Sequence, residues 1–149
     1  MEATSDSSIF FEVNESLDYT LEQAKEVGTW LGEVANNHKK DISNLEYIFC
    51  SDEQLLGVNR KYLDHDFYTD IITFPLSEDP LEASIYISID RVKENSEHYK
   101  TTFTDELHRV MVHGLLHLLG YNDKTDEQNK IMRKAEDRCL GLRSFNISG

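Results

Sequence analysis

The sequence predicts an α+β fold, a small mixed β-sheet packed by helices, and three observations carry that expectation. Strand-like segments rich in β-branched and aromatic residues all fall before Arg91, helical segments separate the first of them, and the chain from Arg91 onward reads as helix. No repeat, linker or low-complexity stretch interrupts the 149 residues, a length that suits one domain able to bury roughly two-thirds of its unfolded surface. Residues 1–149 are therefore expected to form a single domain.

In chain order, "SIFFEVNES" reads as the first strand, and about Leu21 to His38 as an amphipathic helix with Ala24, Val27, Trp30, Leu31 and Val34 at helical spacing. "NLEYIFCS" is the second strand, and "DEQLLGVNRKYL" a helix with Asp52 as its expected cap. "TDIITFPL" is a β-branched strand expected to end at Pro75, and "ASIYISID" a fourth strand with period-two alternation. "RVKENSEHYK" is a short polar helix, whereas "TDELHRVMVHGLLHLL" is long and apolar, with Gly120 as its stop. Thr125 followed three residues on by Gln128 resembles a capping box that opens the last helix, "DEQNKIMRKAEDRCLGL".

Composition excludes several functions. A formal charge of −13 argues against indiscriminate polyanion binding, because a nucleic-acid surface needs clustered Lys and Arg to displace counterions. Acid is concentrated in residues 1–26, 41–53 and 77–82, while Lys124, Lys130, Arg133, Lys134 and Arg138 gather late in the chain. That basic cluster reads either as a solvated helix face or as a docking edge. Cys50 and Cys139 have neither the number nor the spacing of a disulfide framework or a Cys-rich metal site, and both read as small buried hydrophobes. The opening "MEATSDSSIF" lacks the pattern of a secretory signal, and no run of roughly eighteen apolar residues occurs. A soluble cytoplasmic protein, with no membrane partner, is expected.

The stretch "HGLLHLLGYND", residues 113–123, holds the chemistry. His113 and His117 lie about 40° apart on a helix, on a face shared with Val110 and Glu106. Val110, Met111, Val112, Leu115, Leu116, Leu118 and Leu119 surround them, which marks a helix enclosed by protein, where unpartnered imidazoles are costly. Either both are satisfied core residues, with Asp123 capping the last helix, or they hold a metal. The i, i+4 spacing presents two imidazoles to one ion, and the Gly120 turn lets Asp123 supply a third donor. The register follows the zinc-protease pattern H-E-x-x-H-x-x-G-x-x-H, with Asp123 at the last ligand position. The position of that pattern's general base is Gly114, which disfavours peptide hydrolysis. His38, His65, His98 and His108 have no such constellation and are expected to be ordinary exposed residues, His65 alone having a loop that can approach the site.

These residues resemble a known family. "HGLLHLLGYND" is similar to the H-G-x-L-H-L-x-G-Y-D-H signature of the YbeY-type rRNA maturation factors, which are metal-dependent endoribonucleases of ribosome assembly. "TDIITFP" at 69–75 resembles the family's T-D-V-L-S-F-P strand, "IYISID" at 85–90 its D-I-x-I-S strand, and "NRKY" at 59–62 the preceding helix, so the likeness spans roughly residues 45–140. It implies His113, His117 and, in place of a histidine, Asp123 as ligands of one zinc ion, although the mixed donor set also suits iron or another divalent metal. An anionic ligand makes the centre a weaker Lewis acid than three histidines would. The family's arginine falls on Leu63, leaving Arg60, on a neighbouring helix face, as a catalytic candidate, and its Gly-Asp falls on Ala83-Ser84. Asp70 matches the family in a turn, strand-cap or catalytic role, and no residue is assigned as general base.

The function expected from the resemblance is metal-assisted cleavage of single-stranded rRNA in small-subunit processing, maturation and ribosome quality control. The expected partners are the small ribosomal subunit and assembly factors, including a GTPase, with no DNA. The alternative from another class is a non-catalytic ribosome assembly factor whose metal only pins the Gly120 turn.

Overall fold

The computed structural model describes residues 8–147, so the acidic residues Glu2 and Asp6 of the stretch 1–26 lie outside the described residues. The elements are β1 (Ile9–Val13), α1 (Ala24–Asn37), β2 (Ile42–Cys50), α2 (Asp52–Leu63), β3 (Ile71–Glu78), β4 (Leu81–Ser88), α3 (Ile89–His98), α4 (Phe103–Leu118) and α5 (Asp126–Gly141). The four strands form one mixed sheet in the order β1-β2-β4-β3, as the α+β expectation requires. β1 and β4 run parallel to β2; α1 links β1 to β2, α2 links β2 to β3, and β3 passes through a turn at Asp79 and Pro80 into the antiparallel β4. None of the described helices is long and apolar enough to cross a membrane.

Period-two alternation decides which face each strand residue takes. In β4, Leu81, Ala83, Ile85 and Ile87 enter the main core, where they meet Leu45, Tyr47 and Phe49 of β2 and the apolar faces of α1, α4 and α5. The opposite face is covered by α2, over a smaller cluster of Cys50, Leu55 and Ile72 flanked by Val58, Phe74 and Tyr86. Cys50 and Cys139 are both buried thiols, as expected.

Helix α4 passes over β3 and β4 at Gly114, and the approach is close enough to fix the residue type. A Cβ there would stand 2.8 Å from Ile71 Cδ1 and 3.2 Å from Ile85 Cδ1. The position that bears a catalytic glutamate in zinc proteases is therefore filled by the sheet itself.

Several expectations need correction. Pro75 does not end its strand: β3 continues to Glu78 because it is a sheet edge, where a missing N–H costs no ladder bond, and the register slips between Pro75 and Ser77. The cap of α2 is Ser51, not Asp52. Its hydroxyl accepts from Gln54 N while Gln54 reaches back to Ser51 N, and Asp52 instead accepts from Ser88 Oγ and Arg91. α1 begins at Ala24, since Gln23 at φ 55 breaks the helical path from Leu21. His108 is buried, 2% exposed, rather than on the surface. Its ring packs 5.5 Å from Trp30 and 5.9 Å from Phe145, and its Nδ1 accepts from Arg143 Nη1 at 2.9 Å. The residues that enclose it come from helix α1 and from the segment after α5.

Two predictions follow from this packing. Gly114→Glu, which completes the protease motif on paper, is expected to destabilise the fold by more than about 3 kcal/mol in urea unfolding, because the side chain is forced into Ile71 and Ile85 and its charge is buried. Burial, aided by Arg143, pushes the His108 imidazole from an ordinary 6.5 down to about 4. Between those values the unfolded chain binds a proton that the folded chain does not, so this group lowers stability as pH falls through that window. The loss reaches about 3 kcal/mol near the lower limit. Urea unfolding at pH 7 and pH 4.5 is expected to show a smaller acid loss in His108→Gln than in the parent, and equal losses contradict the assignment.

Candidate metal centre

The long helix is capped by Thr102, whose hydroxyl accepts from Asp105 N at 3.1 Å, and it delivers His113 and His117 to its C-terminal turns. It ends by reversal at Gly120, which adopts φ 109. Gly120 N donates to His117 O at 3.1 Å and Tyr121 N to Leu116 O at 3.0 Å, so the last carbonyls are satisfied while the chain turns back. The loop then enters α5 through the expected capping box of Thr125 and Gln128. Tyr121 fixes the loop from outside: its hydroxyl meets His38 Nε2 at 3.0 Å. His38 Nδ1 lies 2.8 Å from Val34 O, a group that only accepts, so Nδ1 carries the proton and Nε2 of the neutral ring accepts from Tyr121.

This route brings Asp123 back to the histidines. Asp123 Oδ2 is 3.1 Å from His117 Nε2 and 3.4 Å from His113 Nε2. One ligand atom from each of the three residues lies within 4.8 Å of the others, the one such group of histidine, cysteine or acidic residues among those described. The donor set fits a divalent ion. Tetrahedral ligands at about 2.0–2.1 Å from zinc stand about 3.3 Å from one another, close to both measured separations. All three side chains are part-buried, so the site is open on one side.

Sequence reasoning missed the residues behind His113. Glu136 of α5 places Oε2 2.7 Å from His113 Nδ1 and accepts from Arg109 Nη1 on Oε1 at 2.8 Å. Arg109 also donates to Asp137 at 2.7 Å. The signal was present: Glu136 is a charged residue within the buried stripe Met132, Ala135, Glu136, Cys139 of α5, and Arg109 lies four positions before His113. Burial lowers the proton affinity of His113, but the hydrogen bond and charge of Glu136, with Asp123 and Asp70, outweigh it and raise the pKa.

Next to His113 opens a cleft of about 230 Å³ lined by Asp70, Asn95 and Tyr99 on one side and Glu106, Arg109 and Arg133 on the other. Burial raises the pKa of both Asp70 and Glu106, against the pull of His113 on Asp70 and of Arg109 on Glu106. Asp70 Oδ2 accepts from Asn95 Nδ2 at 3.3 Å, and its carbonyl accepts from Ser88 N at 3.0 Å, so Asp70 both faces the cleft and fastens the start of β3. Arg60 is not among the residues that line this cleft. It lies in the last turn of α2, exposed and paired with Asp66. His65 stacks on Phe67 in the following loop, and Leu63 is exposed.

Sequence comparison agrees with this geometry. The family model described as endoribonuclease YbeY matches residues 11–142. The endoribonuclease YbeY of Cytophaga hutchinsonii is 53% identical over 142 residues, covering 94% of this chain and 99% of that protein. That of Bacteroides thetaiotaomicron is 46% identical over 120 residues, 80% of this chain and 88% of that one. Among solved structures, the solution structure of TM1509 from Thermotoga maritima superposes with a TM-score of 0.64 at 27% identity, covering 89% of each chain. With the histidine helix, the Gly120 turn and the mixed sheet all in a chain matched over most of its length, the protein belongs to the endoribonuclease YbeY family.

Proposed function

We propose that this chain is a metal-dependent endoribonuclease that cuts single-stranded ribosomal RNA in the maturation and quality control of the small ribosomal subunit, in the cytoplasm. The observation that carries the reading is the meeting of His113, His117 and Asp123 within 4.8 Å in a member of the endoribonuclease family. These residues would hold one divalent ion, with zinc the first choice for two imidazoles and a carboxylate and another divalent metal the alternative. When bound, the ion supplies a Lewis acid for the charge that develops on a phosphodiester.

The chain's own residues supply position. The cleft of about 230 Å³ beside His113 is proposed to receive the RNA strand. Tyr99, 60% exposed at its rim, offers a ring on which a base can stack. Arg133 offers a guanidinium that makes no hydrogen bond or ion pair with other described residues, suited to a phosphate. Asp70, its carboxyl pKa raised by burial, faces the same cleft and fastens the start of β3 beside it. Arg60 is proposed as a more distant phosphate contact, because an exposed pair such as Arg60 with Asp66 is worth little and exchanges readily for RNA. Lys124, Lys130, Lys134 and Arg138 form the edge proposed to meet the small subunit or an assembly factor, since a chain of net charge −13 requires its RNA to be presented locally. Residues 1–149 are proposed to act as one domain.

Purified protein is expected to cleave single-stranded RNA, to lose the activity in chelator, and to lose at least about a hundredfold of it in a folded His117→Ala variant. Cleavage equal in the parent, the chelated protein and the variant refutes the enzyme reading. Arg60→Ala is expected to slow cleavage about tenfold while the metal content measured by plasma spectrometry stays the same. An unchanged rate removes Arg60 from the mechanism.

A further inference from the structure

Glu136 is a carboxylate in the wrong place for a helix that has only to pack. Its side chain is 7% exposed, on the stripe of α5 that otherwise presents Met132, Ala135 and Cys139 to the core. A buried carboxylate is costly unless both oxygens are engaged, and here both are, one by Arg109 and the other by His113.

A carboxylate oxygen accepts and does not donate, so the 2.7 Å contact requires the hydrogen on His113 Nδ1. In the neutral ring that leaves the lone pair on Nε2, the nitrogen 3.4 Å from Asp123 Oδ2. Arg109 holds the acceptor still, since its two terminal nitrogens fork between Glu136 at 2.8 Å and Asp137 at 2.7 Å. Because Arg109 and His113 are one turn apart on α4, the clamp ties α5 to the helix that bears the ligands. His117 has no counterpart: among the described residues it meets no carboxylate but Asp123.

From this arrangement we infer that Glu136, braced by Arg109, is a positioning residue for the metal centre: it selects the His113 tautomer and ring orientation in which Nε2 faces His117 and Asp123. The inference rests on the metal reading given above. It adds a residue that contributes no ligand atom yet sets the affinity of the site, as outer carboxylates do for metal-bound histidines.

The test uses the full chain, stripped of metal and titrated with Zn²⁺ against a chromophoric chelator. Circular dichroism and thermal unfolding of each metal-free variant establish that it is folded. Glu136→Ala is expected to weaken Zn²⁺ binding roughly 10- to 100-fold. Glu136→Gln, whose amide oxygen still accepts from Nδ1, is expected to keep most of the affinity, with a loss below about tenfold. In the Zn²⁺-loaded parent, nitrogen NMR is expected to show His113 protonated on Nδ1 and not on Nε2. A merely structural role would lower the unfolding temperature of the metal-free variants and leave Zn²⁺ affinity unmoved, which overturns the inference. So does protonation of His113 on Nε2 in the loaded parent. If the parent takes up no Zn²⁺, the metal reading fails and this inference with it, whereas a parent that binds alongside a Glu136→Ala variant that binds equally well defeats the inference alone.

Discussion

The contact on which the rest depends is that of α4 with the sheet at Gly114. With no side chain of its own to hold the sheet off, Gly114 lets this helix sink until Ile71 and Ile85 nearly touch its backbone. That depth buries Met111, Val112, Leu115 and Leu116 and leaves His113 and His117 on the flank beside the start of β3, where Asp70 stands. The same contact explains a chemical difference. A zinc-protease arrangement keeps a glutamate next to its first histidine; in this chain that space belongs to two isoleucines. The shape of the site is retained, and the acid–base group of peptide hydrolysis is displaced by packing.

Charge is distributed to the same end. The chain is strongly acidic, yet Arg91, Arg109 and Arg143 are each consumed internally, by Asp52 and Glu94, by Glu136 and Asp137, and by Asp105 with His108. These arginines stitch helices to one another and are poor candidates for recognising a partner. Of the twelve other lysines and arginines, five, Lys124, Lys130, Arg133, Lys134 and Arg138, gather on α5 and the turn before it, and Arg133 lines the cleft beside His113.

Much of this was legible in the sequence because it was local. Helical spacing, the Gly120 stop and the Thr125 to Gln128 capping box depend on neighbours in the chain, and the register from His113 to Asp123 is set by a single helix end and its turn. What was illegible depended on residues distant in the chain. Pro75 ends a strand only if both sides are paired, and that β3 is an edge is a property of the sheet order. His108 looked like a surface residue until Trp30 and Arg143 closed over it. The part played by Glu136 required knowing that α5 packs against α4 in one rotation and not another.

The bond between Tyr121 and His38 joins residues 83 apart in sequence. It ties the loop that carries Asp123 to the end of α1, which packs on the same face of the sheet. Holding residues so far apart in the chain together costs loop-closure entropy that only the packed fold offsets. The alignment of Asp123 with His113 and His117 therefore depends on the docking of α1 as well as on the turn between them.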